Sequence, residues 1–231
     1  MTKDTQKEAS KKSKANKPNL SREVILQQAL QLADSGGIEA LSMRKLADSL
    51  GVKAMSLYNH FANKDEILDG LVETVIAEIE VPNLAAEEWK FAMLVRANSA
   101  HSALLAHPWA TQAIVSRMNI GPNIFAYIDA TLGCLCKAGF SIEMADHIWN
   151  AMDNHIYGFT LQELNFPLQE DEYAEAAAGF IDMIPVEKYP HMNALSTHII
   201  EGKYNGIHDF EFGLNILLQG LEGQLKNQPQ G

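Results

Sequence analysis

The sequence predicts an all-α protein, a small three-helix unit near the N-terminus followed by a larger helical domain. Three observations carry this. Apolar residues recur at spacings of three and four from Ser21 onward, no period-two alternation of useful length occurs, and glycine, proline or asparagine interrupts the pattern at helix-sized intervals. With 47% hydrophobic residues among 231, the chain can fill a sizeable core.

Residues 1–19 hold six lysines and almost nothing apolar. They predict a disordered basic arm, because burial cannot offset the entropy of ordering. The first helix begins at Ser21, carries Ile25, Ala29, Leu32 and Ala33 on one face, and is predicted to stop at Gly36-Gly37. Ser42 offers an N-cap to a short second helix with Leu46, Ala47 and Leu50 inward, ended by Gly51. A third short helix, about Lys53 to Phe61, keeps Leu57 and Phe61 four apart. Asn63 followed by Glu66 resembles a capping arrangement, and it opens a fourth helix with Leu68, Leu71, Val72, Val75 and Ile79 on one stripe. After the break at Val81-Pro82-Asn83, helices are predicted at about 84–106, 108–117, 120–138, 142–164, 171–182, 191–203 and 207–226. The resulting division is an arm (1–19), a three-helix unit (20–66) and a helical domain (67–231).

The net charge of −11 is unevenly spread. Residues 1–64 hold 11 Lys/Arg against 6 Asp/Glu, and residues 65–231 hold 7 against 23. A basic end on an acidic body suits an end that approaches phosphates. No segment has the uncharged apolar length of a membrane span and no signal peptide is evident, so a cytoplasmic location and no membrane partner are expected. Cys134 and Cys136 sit two apart in a predicted helix, pointing about 200° apart, and are expected to pack as small apolar groups. The eight histidines form no His-x-x-x-His pair and no paired CxxC occurs, so no metal site is predicted. No cofactor is expected. Without GxSxG, a phosphate-binding glycine loop or a spaced nucleophile-base pair, the chain is not expected to be an enzyme.

Two short helices joined by a tight turn, the second apolar only inward, form the geometry that places a recognition helix in the DNA major groove. The stretch LSMRKLADSLGVKAMSLYNHF (41–61) has that form. Ala54, Met55, Ser56, Asn59 and His60 project outward, where Asn can pair with adenine, Ser and His can donate, and Ala or Met can meet a thymine methyl. Arg44 and Lys64, at the starts of the flanking helices, can reach phosphate or guanine.

The segment 41–71 resembles the DNA-binding signature of the tetracycline-repressor (TetR) type regulators, through Leu50-Gly51-Val52, Leu57-Tyr58, His60-Phe61, Asn63-Lys64 and the Leu68 to Leu71 entry into the fourth helix. The resemblance implies a homodimeric regulator on a palindromic double-stranded operator, usually a repressor released by a small molecule. It carries the DNA contacts onto Met43, Arg44, Ala54, Met55, Ser56, Tyr58, Asn59, His60 and Lys64. Trp89 to Leu105, KAGFS (137–141), the Gly158 region and 210–225 are similar to the tetracycline-responsive branch of that family. The pocket positions differ. Glu80 stands where that branch has a histidine, Arg96 and Ala100 where it has asparagine and phenylalanine, and Asn154 and Gln162 where the partner subunit brings histidine and glutamate. His155 and Glu163 lie one residue away, about 100° round the helix. A small-molecule effector other than tetracycline is therefore expected.

Candidate effector contacts are Arg96, His101, Trp109, Asn123, Tyr127, Trp149, Asp153 and His155, since polar groups on apolar helices need partners if buried and pockets are largely aromatic. Plain core packing or a surface position is the alternative for each. Phe210, Leu214, Leu217 and Leu221 recur on the last helix, and Met144, Ile148 and Met152 on the helix at 142–164. With Gly213 and Gly220 allowing close approach, these stripes predict a four-helix dimer interface, the alternative being packing within one subunit. Two other readings stay open: a ligand-binding or enzymatic protein with a vestigial head, and an activator or corepressor-dependent regulator.

Overall fold

The computed structural model describes residues 20–83, 88–168 and 172–226, apart from the side chain of Gln224. The predicted arm at 1–19 and the first residues of the helix expected at 84–106 lie outside the described residues. Among those described the secondary structure is helical throughout: α1 (Arg22–Ala40), α2 (Met43–Ser49), α3 (Ala54–Tyr58), α4 (Lys64–Ala77), α5 (Trp89–Ala106), α6 (Ala110–Val115), α7 (Pro122–Lys137), α8 (Ile142–Asn165), α9 (Tyr173–Phe180), α10 (Pro190–Ile200) and α11 (Phe210–Lys226). None of these helices is long and apolar enough to cross a membrane.

The Ser21 hydroxyl accepts from the Val24 amide at 3.3 Å, filling one of the orphan donors at the start of α1. The helix does not stop at Gly36-Gly37 as expected. Gly37 takes a left-handed conformation (φ 72°) and kinks α1, after which Ile38, Glu39 and Ala40 finish it. Ser42 caps α2 through the Lys45 amide, and Gly51 (φ 66°) makes the turn into α3. That recognition-type helix is shorter than predicted, because after Tyr58 the amides of both His60 and Phe61 converge on the Leu57 carbonyl.

Asn63 Oδ1 accepts from the Glu66 amide at 2.9 Å while Glu66 Oε2 accepts from the Ala62 amide at 2.7 Å, so α4 opens on reciprocal capping. Gly70 lies where α1 crosses α4; a Cβ there would come within 2.7 Å of a Leu26 methyl. One continuous hydrophobic cluster runs from Ile25, Leu46, Leu57 and Phe61 in the head through Leu71, Val75 and Ile76 of α4 into Met93, Leu104, Leu135 and Ile148 of the body. The head is thus welded to the body along α4.

In the body α5, α6 and α7 pack against α4, and α8 packs against α5, α6, α7 and α11. Glu73 of α4 inserts its carboxylate at the start of α7, accepting from the amides of Asn123 (2.9 Å) and Ile124 (3.0 Å), where the helix dipole favours an anion. A Cβ at Gly121 would fall 2.3 Å from that carboxylate and would have to displace it. Helices α9 and α10 bury no residue and pack mainly on each other.

Candidate nucleic-acid interface and effector cavity

The DNA-facing side is set by what α3 buries. Leu57 is fully buried and Phe61 nearly so, which turns Met55 (72% exposed), Tyr58 (46%) and Asn59 outward. Ser56 and His60 are half-buried on the same short helix and its C-terminal turn. Met43 and Ala54 are also half-buried and lean on the core, so they present less surface than the resemblance implied. Arg44 is nearly free, its nearest carboxylate Asp48 standing 4.0 Å away. Lys64 stands at the start of α4 as expected, and its Nζ donates to the Ile38 carbonyl at 3.1 Å, tying the start of α4 to the end of α1.

Arg22 has no counterpart in the sequence reading. It donates to the His60 carbonyl and, at 2.8 Å, to Glu66 Oε1, and its guanidinium lies 4.0 Å from the centre of the Phe61 ring. The bond from the Ala62 amide and the Arg22 contact hold the Glu66 carboxyl below its usual range. One side chain from the first turn of α1 therefore fixes the end of α3 against the start of α4, a contact spanning 38 and 44 residues that local pattern does not reveal.

The candidate effector residues separate into three places. Arg96 and Asp153 form a buried hydrogen-bonded ion pair, with Tyr127 4.7 Å beneath the guanidinium and Tyr157 donating to Asp153 Oδ2 at 3.1 Å. Burial opposes the charge on Arg96, but Tyr127 and Asp153 beside it hold its basicity above the ordinary value. Burial pushes the Tyr127 and Tyr157 phenols well up, so both stay protonated. Arg96 Nε and Nη1, Thr111 Oγ1 and the Nε1 of half-buried Trp149 are buried with no hydrogen-bond partner.

At the second place His101 lines an open cavity of about 570 Å³, a size that suits a drug-sized molecule, and His155 stands beside its Phe210 wall. Its walls include His101, Phe159, Glu163, Phe166, Tyr173 and Phe210. His101 stacks on Phe210 (centroids 4.2 Å apart) and meets Glu163 through Nε2 at 2.8 Å. His155 is nearly parallel to the same Phe210 ring and bonds its carbonyl at 2.9 Å. Almost half of the cavity's lining comes from irregular segments, Phe166 and Leu168 on one side and Ile207 to Asp209 on the other, where the helix expected from 207 begins only at Phe210.

The third group belongs to neither. Trp109 Nε1 donates to Asp34 Oδ1 at 2.7 Å, at the junction with α1, and Asn123 is exposed, donating to the Glu73 carbonyl at 3.1 Å. Long-range partners on α1 and α4 claimed both side chains.

The stripes predicted for a dimer interface face inward. Ile148, Met152, Phe210 and Leu214 lie in the subunit's own core, Met144 and Leu221 pack against it, and Leu217 is half-buried. Their period identified a buried face, and the subunit itself covers it. The outward faces of these helices carry Ile142 (54% exposed) on α8 and Phe212 (67%) and Ile216 (56%) on α11.

Comparison with known proteins agrees with this architecture. Residues 25–71 match the profile "Bacterial regulatory proteins, tetR family", and residues 81–225 match "Tetracyclin repressor-like, C-terminal domain". The chain is 32% identical to the tetracycline repressor protein class E of Escherichia coli over 212 residues, covering 89% of this chain and 92% of that repressor. It is 31% identical over 166 residues to an HTH-type transcriptional regulator of Saccharopolyspora erythraea, covering 72% of this chain and 70% of that regulator. Among solved structures, ActR of Streptomyces coelicolor in complex with (S)-DNPA superposes with a TM-score of 0.77 at 27% identity, covering 89% of this chain and 98% of ActR. A helix-turn-helix head on an all-helical body, matched along nearly the whole described chain, makes this protein a member of the TetR family of DNA-binding transcriptional regulators.

Proposed function

We propose that the protein is a homodimeric repressor that grips a palindromic operator through α2 and α3 and lets go when a small molecule enters the body. The observation that supports this best is the outward set Met55, Tyr58 and Asn59 on a helix anchored by buried Leu57. A rigid, exposed, chemically mixed surface of this size fits a major groove. Arg44, with no close ion pair, is free for phosphate.

Dimerisation in this reading uses the outer faces of α8 and α11, where Phe212 and Ile216 are exposed and apolar, with Asn154 and Gln162 alongside. Two copies would set the recognition helices one helical turn of DNA apart. The effector acts by population shift: it binds one head separation better than the other. Tetracycline is not the effector in this reading, because Arg96 is committed to Asp153 and Glu80 and Ala100 replace the recognition residues of the tetracycline branch. A similar protein, the TetR family protein ActR of Streptomyces coelicolor, has been solved in complex with actinorhodin.

The test is selection of duplexes from a random pool by the full-length protein, followed by footprinting. Two symmetric half-sites are expected. Tyr58→Ala and Arg44→Ala should each weaken binding about tenfold or more while leaving helix content and dimer mass unchanged. Affinity retained in both variants would sink the recognition-helix assignment.

A further inference from the structure

We propose that His107 is a positioning residue that clamps the DNA head to the sensing body, by joining Asp34 of α1 to Glu78 at the end of α4 across the corner between α5 and α6. The proposal deepens the reading of an effector-released regulator and rests on it for its functional consequence. Three separate elements meet at one ring. His107 Nδ1 lies 2.8 Å from Asp34 Oδ1, and Nε2 lies 3.2 Å from Glu78 Oε2. The imidazole is buried, its side chain only 9% exposed.

Both partners are carboxylates, which accept but do not donate when ionised. Two such partners on opposite ring nitrogens require both nitrogens to carry hydrogen, so the geometry describes an imidazolium. Asp34 Oδ1 takes a second bond at 2.7 Å from Trp109 Nε1, two residues beyond His107. The intervening Pro108 helps hold the two donors in place. A residue before proline is driven out of helical geometry, and His107 (φ −124°, ψ 73°) leaves α5 there while its carbonyl accepts the Ala110 amide that starts α6. The corner is thus a rigid bracket with two donors aimed at α1.

Asp34 sits on the helix whose first turn, through Arg22, fixes the end of α3. Glu78 ends the helix whose first turn, through Lys64, holds the end of α1. A shift of the α5–α6 corner therefore reaches the recognition surface through both α1 and α4, the two elements that set its angle.

The charged groups facing His107 are Asp34 from α1 and Glu78 from α4; α5 and α6 contribute none that acts on it. Burial lowers the affinity of the ring for its proton, but the two carboxylates outweigh this and raise it above the ordinary value of 6.5. A raised folded-state value means that the clamp is complete at and below that ordinary value and is lost as pH rises through the folded-state value. Loss of the proton removes one of the two bonds and leaves a carboxylate facing a lone pair.

The experiment uses the full-length protein and a duplex obtained by the selection described above. Affinity is measured from roughly pH 6.5 to 9 at fixed salt for wild type, His107→Gln, Asp34→Asn, Trp109→Phe and, as control, the exposed His191→Gln. Wild type and His191→Gln should change about fivefold in affinity across this range, whereas His107→Gln and Asp34→Asn should show no such change with pH. Amide hydrogen exchange in Ala33–Ala40 should quicken about tenfold in both clamp variants while α7 is unchanged. A wild-type pH profile and wild-type exchange in both would overturn the clamp. If His107→Gln does not fold, Asp34→Asn and Trp109→Phe decide by the same readouts. If no duplex is recovered, the repressor reading fails, while exchange and the NMR titration of the His107 ring still decide whether the clamp exists.

Discussion

The head, residues 20–63, buries no side-chain polar atom without a hydrogen-bond partner among the described residues, whereas the body buries four, all able to donate: Arg96 Nε and Nη1, Thr111 Oγ1 and Trp149 Nε1. Each unanswered donor costs on the order of 1–3 kcal/mol. The difference follows the work of each part in the proposed function. A recognition surface must keep one shape, so its core is closed by Leu46, Leu57 and Phe61 and its corners by Arg22, Ser42 and Asn63. A sensing interior must leave something for an occupant to satisfy, and acceptor atoms brought to α5, α6 and α8 would recover part of that cost.

The largest expected effect lies at the ion pair on which the body's interior is built. Asp153→Ala leaves the guanidinium of Arg96 buried and uncompensated, and should destabilise by about 3–5 kcal/mol in urea unfolding. Replacing both partners with apolar residues of similar volume, as in Arg96→Met with Asp153→Leu, should return stability to near that of the wild type. Equal instability in the single and double variants would mean that the pair is not the source of the penalty. Leu57→Ala comes next. It removes a fully buried side chain from the head and should cost about 2–5 kcal/mol, lost mostly from the head. Hydrogen exchange should rise in α2 and α3 while α8 keeps its protection; uniform loss would show that head and body unfold as one unit.

The same contrast explains what could be read from sequence. The head was legible almost to the residue, because its signals are local: a cap at Ser42, a left-handed glycine at 51, Leu57 and Phe61 four apart. Two boundaries differ: the third helix ends at Tyr58 instead of Phe61, and the stop expected at Gly36-Gly37 is a kink, because a glycine that kinks a helix and one that ends it share the same local chemistry. The body's helices were found from their period, but period gives a face and not what covers it. Ile148, Met152 and Leu214 were thus predicted at an interface and lie in the subunit core. Trp109 and Asn123 were drawn to Asp34 and Glu73, partners 75 and 50 residues away, and no spacing rule encodes such distances. Of the predicted effector residues only His101 lines the open cavity, since several of the cavity's walls come from irregular segments.

The smallest effect separates the two regions most cleanly. Ser42 caps α2 through the Lys45 amide at 3.2 Å, and Ser141 caps α8 through the Met144 amide at 3.3 Å, the same chemistry at nearly the same distance. Replacing either by alanine should cost about 1 kcal/mol. The consequences differ because α2 has 7 residues and α8 has 24. A lost cap frays roughly one turn, which is a small part of α8 but about half of α2, including the turn that bears Arg44. Ser42→Ala should therefore weaken binding to the selected duplex severalfold beyond its effect on melting, while Ser141→Ala should lower melting alone. Equal binding by the two variants would mean that the first turn of α2 is not held in place by its cap but by the bound DNA.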